Sequence, residues 1–285
     1  MDEVSTRTQR RRIERISISS DGPAGAKADL LAVEEPLELR IGGKPLTVTM
    51  RTPGDDLDLA AGFLFTEGLL SPAVDLRQIR MCDENVADAT LEVADRPSPE
   101  ALERATDARR AQRNFLTTSA CGVCGKESID AIRVRSRYDL TADTVRVAPD
   151  VLASLPDRLR EAQRVFATTG GLHAAGLFSA DGTLAVLRED VGRHNAVDKV
   201  IGWALRAGRL PLTGHILLVS GRASFELVQK AAVAGIPVLA AVSAPSSLAA
   251  DLAEEAGMTL VGFLRGASMN GYTGLHRLTG VTAPP

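Results

Sequence analysis

The chain is short of cysteine: it has three in 285 residues, at Cys82, Cys121 and Cys124. Three thiols make no disulfide framework, so a reducing compartment is expected, and with it a cytoplasmic location. No apolar run approaches the length of a membrane span, so no membrane contact is expected. Charge of one sign is also lacking. Lys and Arg number 33 against 36 Asp and Glu, a formal net charge of −3, which leaves no general pull toward nucleic acid. The remaining composition, 45% hydrophobic and 24% charged, is that of a soluble chain long enough to bury a full core.

Residues 1–26 differ from the rest. Arg7, Arg10, Arg11, Arg12 and Arg15 lie among Ser, Thr and Gln. An export signal would need an apolar core after paired arginines, and none follows. The segment reads as a flexible, solvated basic tail, with a basic arm for an acidic partner as the other reading. Residues 27–140 read as an N-terminal β-hairpin and helix region. Leu37, Leu39 and Ile41, then Leu46, Val48 and Met50, alternate with polar residues around Gly42-Gly43, which predicts a hairpin. A helix follows over 56–67 and stops at Gly68. Cys82 reads as a small buried or semi-exposed residue.

From 141 to 285 an α/β core is expected. Val145 and Val147 end a strand, and a helix spans 149–166, with a break at Pro156 in question. Strands follow at 174–178 and 184–187. Helices at 195–207, 224–234 and 246–256 then alternate with strands at 215–220, 237–242 and 259–263. Such alternation predicts parallel strands with crossover helices.

Ligands bind beyond the carboxyl ends of strands in open parallel sheets. Here those ends read Ser220-Gly221-Arg222-Ala223-Ser224, Ser243-Ala244-Pro245-Ser246-Ser247 and Arg265-Gly266-Ala267-Ser268, then Asn270. Small residues admit a phosphate to the backbone, and arginine matches its oxygens. Ser224 and Ser246 are expected to cap the next helices. Good turn and cap chemistry alone would give the same residues, so both readings stand. The polar run from Arg188 to Asn195 offers Asp190 or Asn195 as a cap. It reads either as a capped turn or as a pocket wall in which His194 and Arg193 meet an anion.

Cys121-Gly122-Val123-Cys124-Gly125 can hold sulfur, hold metal or cycle through a disulfide. A structural zinc site takes four protein ligands. Two cysteines supply half, and Cys82 and His173 would complete the set only by spatial accident, so no metal is assigned. The pair also lacks the βαβ setting of thioredoxin-like exchange. The glycines permit a loop that moves between a sulfur donor and an acceptor, and Lys126 favours the thiolate. Zinc deaminases carry His-x-Glu with a later Pro-Cys-x-x-Cys. This chain has His173-Ala174-Ala175, and its cysteine pair comes first, so hydrolytic deamination is not expected.

An ordered set of motifs carries a resemblance. It runs from Thr52-Pro53-Gly54-Asp55-Asp56 and Ala61 to Gly68, through the cysteine pair and Thr169-Gly170-Gly171-Leu172-His173, to Glu189–Lys199. It ends with Ser220-Gly221-Arg222, Gly262–Gly266 and Met269-Asn270. From about Glu34 to Arg277 the chain resembles the FdhD family of formate dehydrogenase accessory sulfurtransferases. The resemblance implies a three-layer, cytidine-deaminase-like α/β core with a mixed, largely parallel sheet. It implies a sulfurtransferase that takes sulfur from a cysteine desulfurase as a cysteine persulfide. The sulfur passes to the molybdenum of bis(molybdopterin guanine dinucleotide), bound as client, before insertion into formate dehydrogenase. Cys121 becomes the persulfide carrier and Cys124 the helper thiol. Phe263, Leu264, Arg265, Gly266, Ala267 and Ser268 become the cofactor-binding segment, with Asn270, Ser220, Gly221, Arg222 and His194 beside it. Two guanine nucleotide halves suit a homodimer. The alternative is a non-catalytic cofactor chaperone whose cysteine pair is structural, redox-sensing or metal-binding.

Overall fold

The structure is a computed structural model and describes residues 3–16, 26–71, 74–93 and 136–281. Cys121, Cys124 and the arginine-rich stretch 101–113 lie outside the described residues. In chain order the strands are β1 (Thr8–Glu14), β2 (Ala26–Ala32), β3 (Glu35–Ile41), β4 (Lys44–Arg51), β5 (Val74–Asp83), β6 (Val86–Val93), β7 (His173–Ser179), β8 (Leu184–Asp190), β9 (His215–Val219), β10 (Val238–Ala241), β11 (Thr259–Arg265) and β12 (Ser268–Thr273). The helices are α1 (Glu3–Thr6), α2 (Asp56–Thr66), α3 (Pro149–Ala162), α4 (Arg164–Thr169), α5 (Arg193–Arg206), α6 (Phe225–Val233) and α7 (Ser247–Glu255).

Short apolar runs make the centre. The sheet order is β12-β11-β10-β9-β7-β8. Strands β9, β10 and β11 run parallel, and being covered on both faces they read as continuous apolar segments. Leu152, Leu155 and Leu159 of α3 pack on one face with Phe178, Leu218 and Ala240. Val197, Val200 and Ile201 of α5 pack on the other with Leu217 and Leu239, together with α6 and α7 residues. The core is therefore three layers, helix, sheet and helix. A second sheet, ordered β4-β3-β6-β5, lies beyond α2, whose Leu59 and Ala60 pack against Leu37 and Leu39.

The expected largely parallel sheet is corrected. Only two of the five strand pairings in the six-stranded sheet are parallel. β7 runs antiparallel to both neighbours. β12 returns antiparallel beside β11, where the sequence suggested only a strand-end loop. Pro156 does not break its helix, and α3 ends instead at Ala162, with Gln163 as its C-cap before α4. Val147 makes a single bridge to Leu278 rather than a strand. The hairpin β3–β4 forms, with a register shift after Leu39. That shift turns Val48 and Met50 out to solvent, 56% and 45% exposed, against the alternation read from sequence.

The flexible tail is also corrected. Residues 8–14 are not a solvated coil but pair in full register with 26–32. Arg7 anchors the ribbon: it is buried and its Nη2 lies 2.7 Å from Asp55 Oδ2. Cys82 is exposed rather than buried or semi-exposed.

The motifs at 52–56 and 189–199 prove to be partners. Asp190 and Lys199 are both fully buried and meet at 2.7 Å. Lys199 Nζ donates to Thr52 O, and Thr52 N donates to Asp190 Oδ2. Gly192 N and Asn195 Nδ2 donate to the same carboxylate. Buried charge is tolerated only when paired and hydrogen-bonded, and this one is closed on every side. The polar run is thus largely an interior brace. The N-cap position of α5 is Gly192, without a side-chain cap, so neither Asp190 nor Asn195 serves as the cap. Nearby, α2 crosses α5 at Gly62 and Gly202. A Cβ at either would fall on the other helix's backbone, at Asp198 O or Asp58 O.

Candidate functional site at the carboxyl edge of the sheet

β8, β9, β10 and β11 all end at one edge of the sheet, because β7 runs the other way between β8 and β9. Helices α5, α6 and α7 start there. The loops between are stitched side by side. Ala174 N donates to Ser220 Oγ at 2.9 Å, Ser243 N to Gly221 O and Phe263 N to Ser243 O. Ala223 and Pro245 form a parallel bridge. Ser246 accepts from Ala249 N and caps α7. Ser224 starts α6 but makes no cap bond, so only one of the two expected serine caps forms. The Ser224 hydroxyl instead lies 3.5 Å from His194 Nε2.

This edge collects cations. Arg193 is the first residue of α5 and its Nε is buried without a hydrogen-bond partner. Arg222 is exposed on the β9–α6 loop. Arg265 Nε donates to Val242 O. Among the described residues none of the three has an ion-pair partner. A cation at a helix N-terminus opposes the helix dipole, and a bound anion would offset both.

His173 sits beside Gly221, whose Cβ position would lie 3.5 Å from the ring Nδ1. Burial, then the nearby Arg193 and His194 charges, hold the His173 ring below the usual imidazole range, against a smaller opposing pull from Asp190. His194 Nε2 is 3.8 Å from Glu226 Oε2. The neighbouring His194 imidazole, with smaller contributions from the Glu226 amide and Ser224, holds the Glu226 carboxyl down to about 2. A depressed carboxylate stabilises the fold above its ordinary value of 4.5, and loses that contribution as pH falls through the folded value near 2. In His194→Ala the Glu226 carboxyl should titrate closer to 4.5 by carbon-detected NMR. An unchanged titration would show that His194 does not hold it.

Ser220, Gly221, Arg222 and His194 therefore lie along one edge, as the sequence suggested. Arg265, Gly266, Ala267, Ser268 and Asn270 extend it as the exposed β11–β12 hairpin. The Leu264 side chain is fully buried in the core, so only its backbone is placed to line this edge. Phe263 is 40% exposed and holds φ +51° at a register irregularity, a left-handed conformation that costs a non-glycine residue on the order of 1–3 kcal/mol. His173 and Glu226 were absent from the expected site. The one sequence signal for His173 is its place opposite the end of β9. Among the described residues no group of three His, Cys, Asp or Glu side chains could hold a metal. No described helix is long and apolar enough to cross a membrane.

Residues 32–279 match the FdhD/NarQ family. The chain belongs to that family. It is 58% identical over 276 residues to the sulfur carrier protein FdhD of Streptomyces avermitilis, covering 95% of each chain. It is 57% identical over 287 residues to the protein of the same name from Nocardia farcinica, covering 97% of this chain and 96% of that one. A crystal structure from Desulfotalea psychrophila, described as that of a formate dehydrogenase accessory protein, superposes with a TM-score of 0.70. It is 24% identical and covers 95% of this chain and 99% of its own. At that identity the likeness speaks for the fold.

Proposed function

We propose that this protein is a sulfur carrier for formate dehydrogenase maturation, working as a sulfurtransferase. Its substrates are the persulfide of a cysteine desulfurase and the molybdenum bis(molybdopterin guanine dinucleotide) cofactor, which it holds as client. The observation that carries this reading is the junction of three helix N-termini with Arg193, Arg222 and Arg265 at one sheet edge. Such an edge suits phosphates of the guanine nucleotide, and the names of the FdhD relatives supply the sulfur. A deaminase-like plan for the core belongs to the same proposal, with Ala175 where a deaminase would need its glutamate.

The Cys121 thiolate attacks the terminal sulfur of the donor persulfide. The donor S–S bond breaks, its thiolate leaves, and a Cys121 persulfide forms. Attack of the Cys124 thiolate on Cys121 Sγ then expels sulfide toward the molybdenum and leaves a Cys121–Cys124 disulfide. The two electrons that reduce the terminal sulfur come from the two thiols, and a cellular thiol reductant restores them. A homodimer would present two copies of the edge to the two guanine halves, and such chemistry suits a reducing cytoplasm.

After incubation with a desulfurase and cysteine, the intact mass should rise by one reductant-labile sulfur. Cys121→Ala should abolish the gain, and Cys124→Ala should retain it while blocking its release. A labile sulfur on Cys124 in the Cys121→Ala protein would reverse the roles. Formate dehydrogenase activity surviving loss of both thiols would leave only a cofactor chaperone.

A further inference from the structure

The sulfur transfer proposed above names no residue of the N-terminal arm. β1 and β2 form a ribbon of their own, with no third strand among the described residues. The β2 side packs against α4. The base is clamped, with Val33 N donating to Arg7 O and Arg7 paired to Asp55. Among the described residues β1 therefore carries the open edge, and Gln9 through Arg12 are exposed along it.

The two faces of the ribbon differ. Arg10 stands opposite Leu30 and Arg12 opposite Ala28, so two guanidinium groups share one face above apolar neighbours. No carboxylate lies between them, and among the described residues neither has an ion-pair partner. Arg11, on the other face, stands opposite Asp29. An unpaired edge invites another strand. Two copies of this edge would set arginines against arginines, which disfavours self-pairing. An extended segment with carboxylates at alternate positions meets both demands. It satisfies the open backbone groups, and its same-face side chains repeat at the spacing of Arg10 and Arg12.

We propose that the free edge of β1 docks an extended acidic segment of a partner protein by strand addition, with Arg10 and Arg12 meeting alternate carboxylates. The ribbon's base lies near the sheet edge described above: the Gly171 Cβ position is 3.5 Å from Ala32 Cβ, two residues before His173. A partner held there would be delivered beside the site.

The probe is a fluorescein-labelled peptide alternating Glu and Thr, titrated with the full chain and followed by anisotropy. Its Gln-for-Glu counterpart and a short single-stranded DNA serve as competitors in class. The acidic peptide should bind and slow hydrogen exchange at β1 amides. The R10E/R12E protein should bind it about tenfold or more weakly, with an unchanged melting temperature, while R11E should lose much less. Equal binding of the Gln peptide, equal loss in R11E, tighter binding of DNA, or absence of β1 protection would each overturn the proposal.

Discussion

Gly202→Ala should destabilise the protein by about 3 kcal/mol or more, although it adds a single methyl group to a helix that would otherwise favour alanine. The added Cβ would fall on Asp58 O and crowd Gly62 N, and nothing it meets is a flexible side chain. The helices must separate, and α2 carries more than its own packing. Asp58 of α2 pairs with Arg188 of β8 and Arg206 of α5, so a shift of α2 disturbs the charges that hold it. A control is at hand in Gly171, with ordinary φ and its nearest contact at 3.5 Å. Gly171→Ala should stay within roughly 0.5 kcal/mol. Urea unfolding of both variants decides the matter, and equal midpoints would mean that the crossing adapts without cost.

The second large effect is expected at the interior brace. Removing one member of a buried ion pair leaves the other uncompensated and costs about 3–5 kcal/mol. The two halves should not be equal. In Lys199→Met, Asp190 keeps donors from Thr52, Gly192 and Asn195, which places the loss near the lower figure. In Asp190→Asn, Lys199 keeps only Thr52 O, and the new amide cannot accept from every donor now aimed at the carboxylate. That variant should be the less stable by denaturant midpoint. The double variant should recover part of the loss, since both charges go together. Strictly additive losses would show that the pair is not the source of the effect.

The alternation of helix and strand from 193 to 265 was plain in the sequence because each strand is a buried apolar run and each helix has one apolar stripe. Strand direction was not. Nothing local in His173–Ser179 distinguishes a strand that runs against its neighbours, since both kinds read as apolar when buried on both faces. β12 was hidden for a related reason: Ser268 and Asn270 are exposed edge residues with turn-like chemistry. The arginines of β1 looked like coil because their partner strand lies beyond residues 17–25. The run from Arg188 to Asn195 could be read as a capped turn or a ligand wall, and its bracing by Thr52 was hidden because Thr52 is far away in sequence. The serines and glycines of the strand ends were legible because that chemistry is local. The charge balance at the edge was not, because the residues that modulate it, His173 and Glu226, come from other segments.

Phe263 places folding and use in opposition. Its backbone sits where glycine would rest without strain, and its ring stands partly in water, where burial gives it little in return. A chain shaped by stability alone would carry glycine there. The positive φ of Phe263 therefore sets a cost on the fold at the edge where β11 turns into β12, and Phe263→Gly should raise the denaturant midpoint if that cost outweighs the ring's own packing.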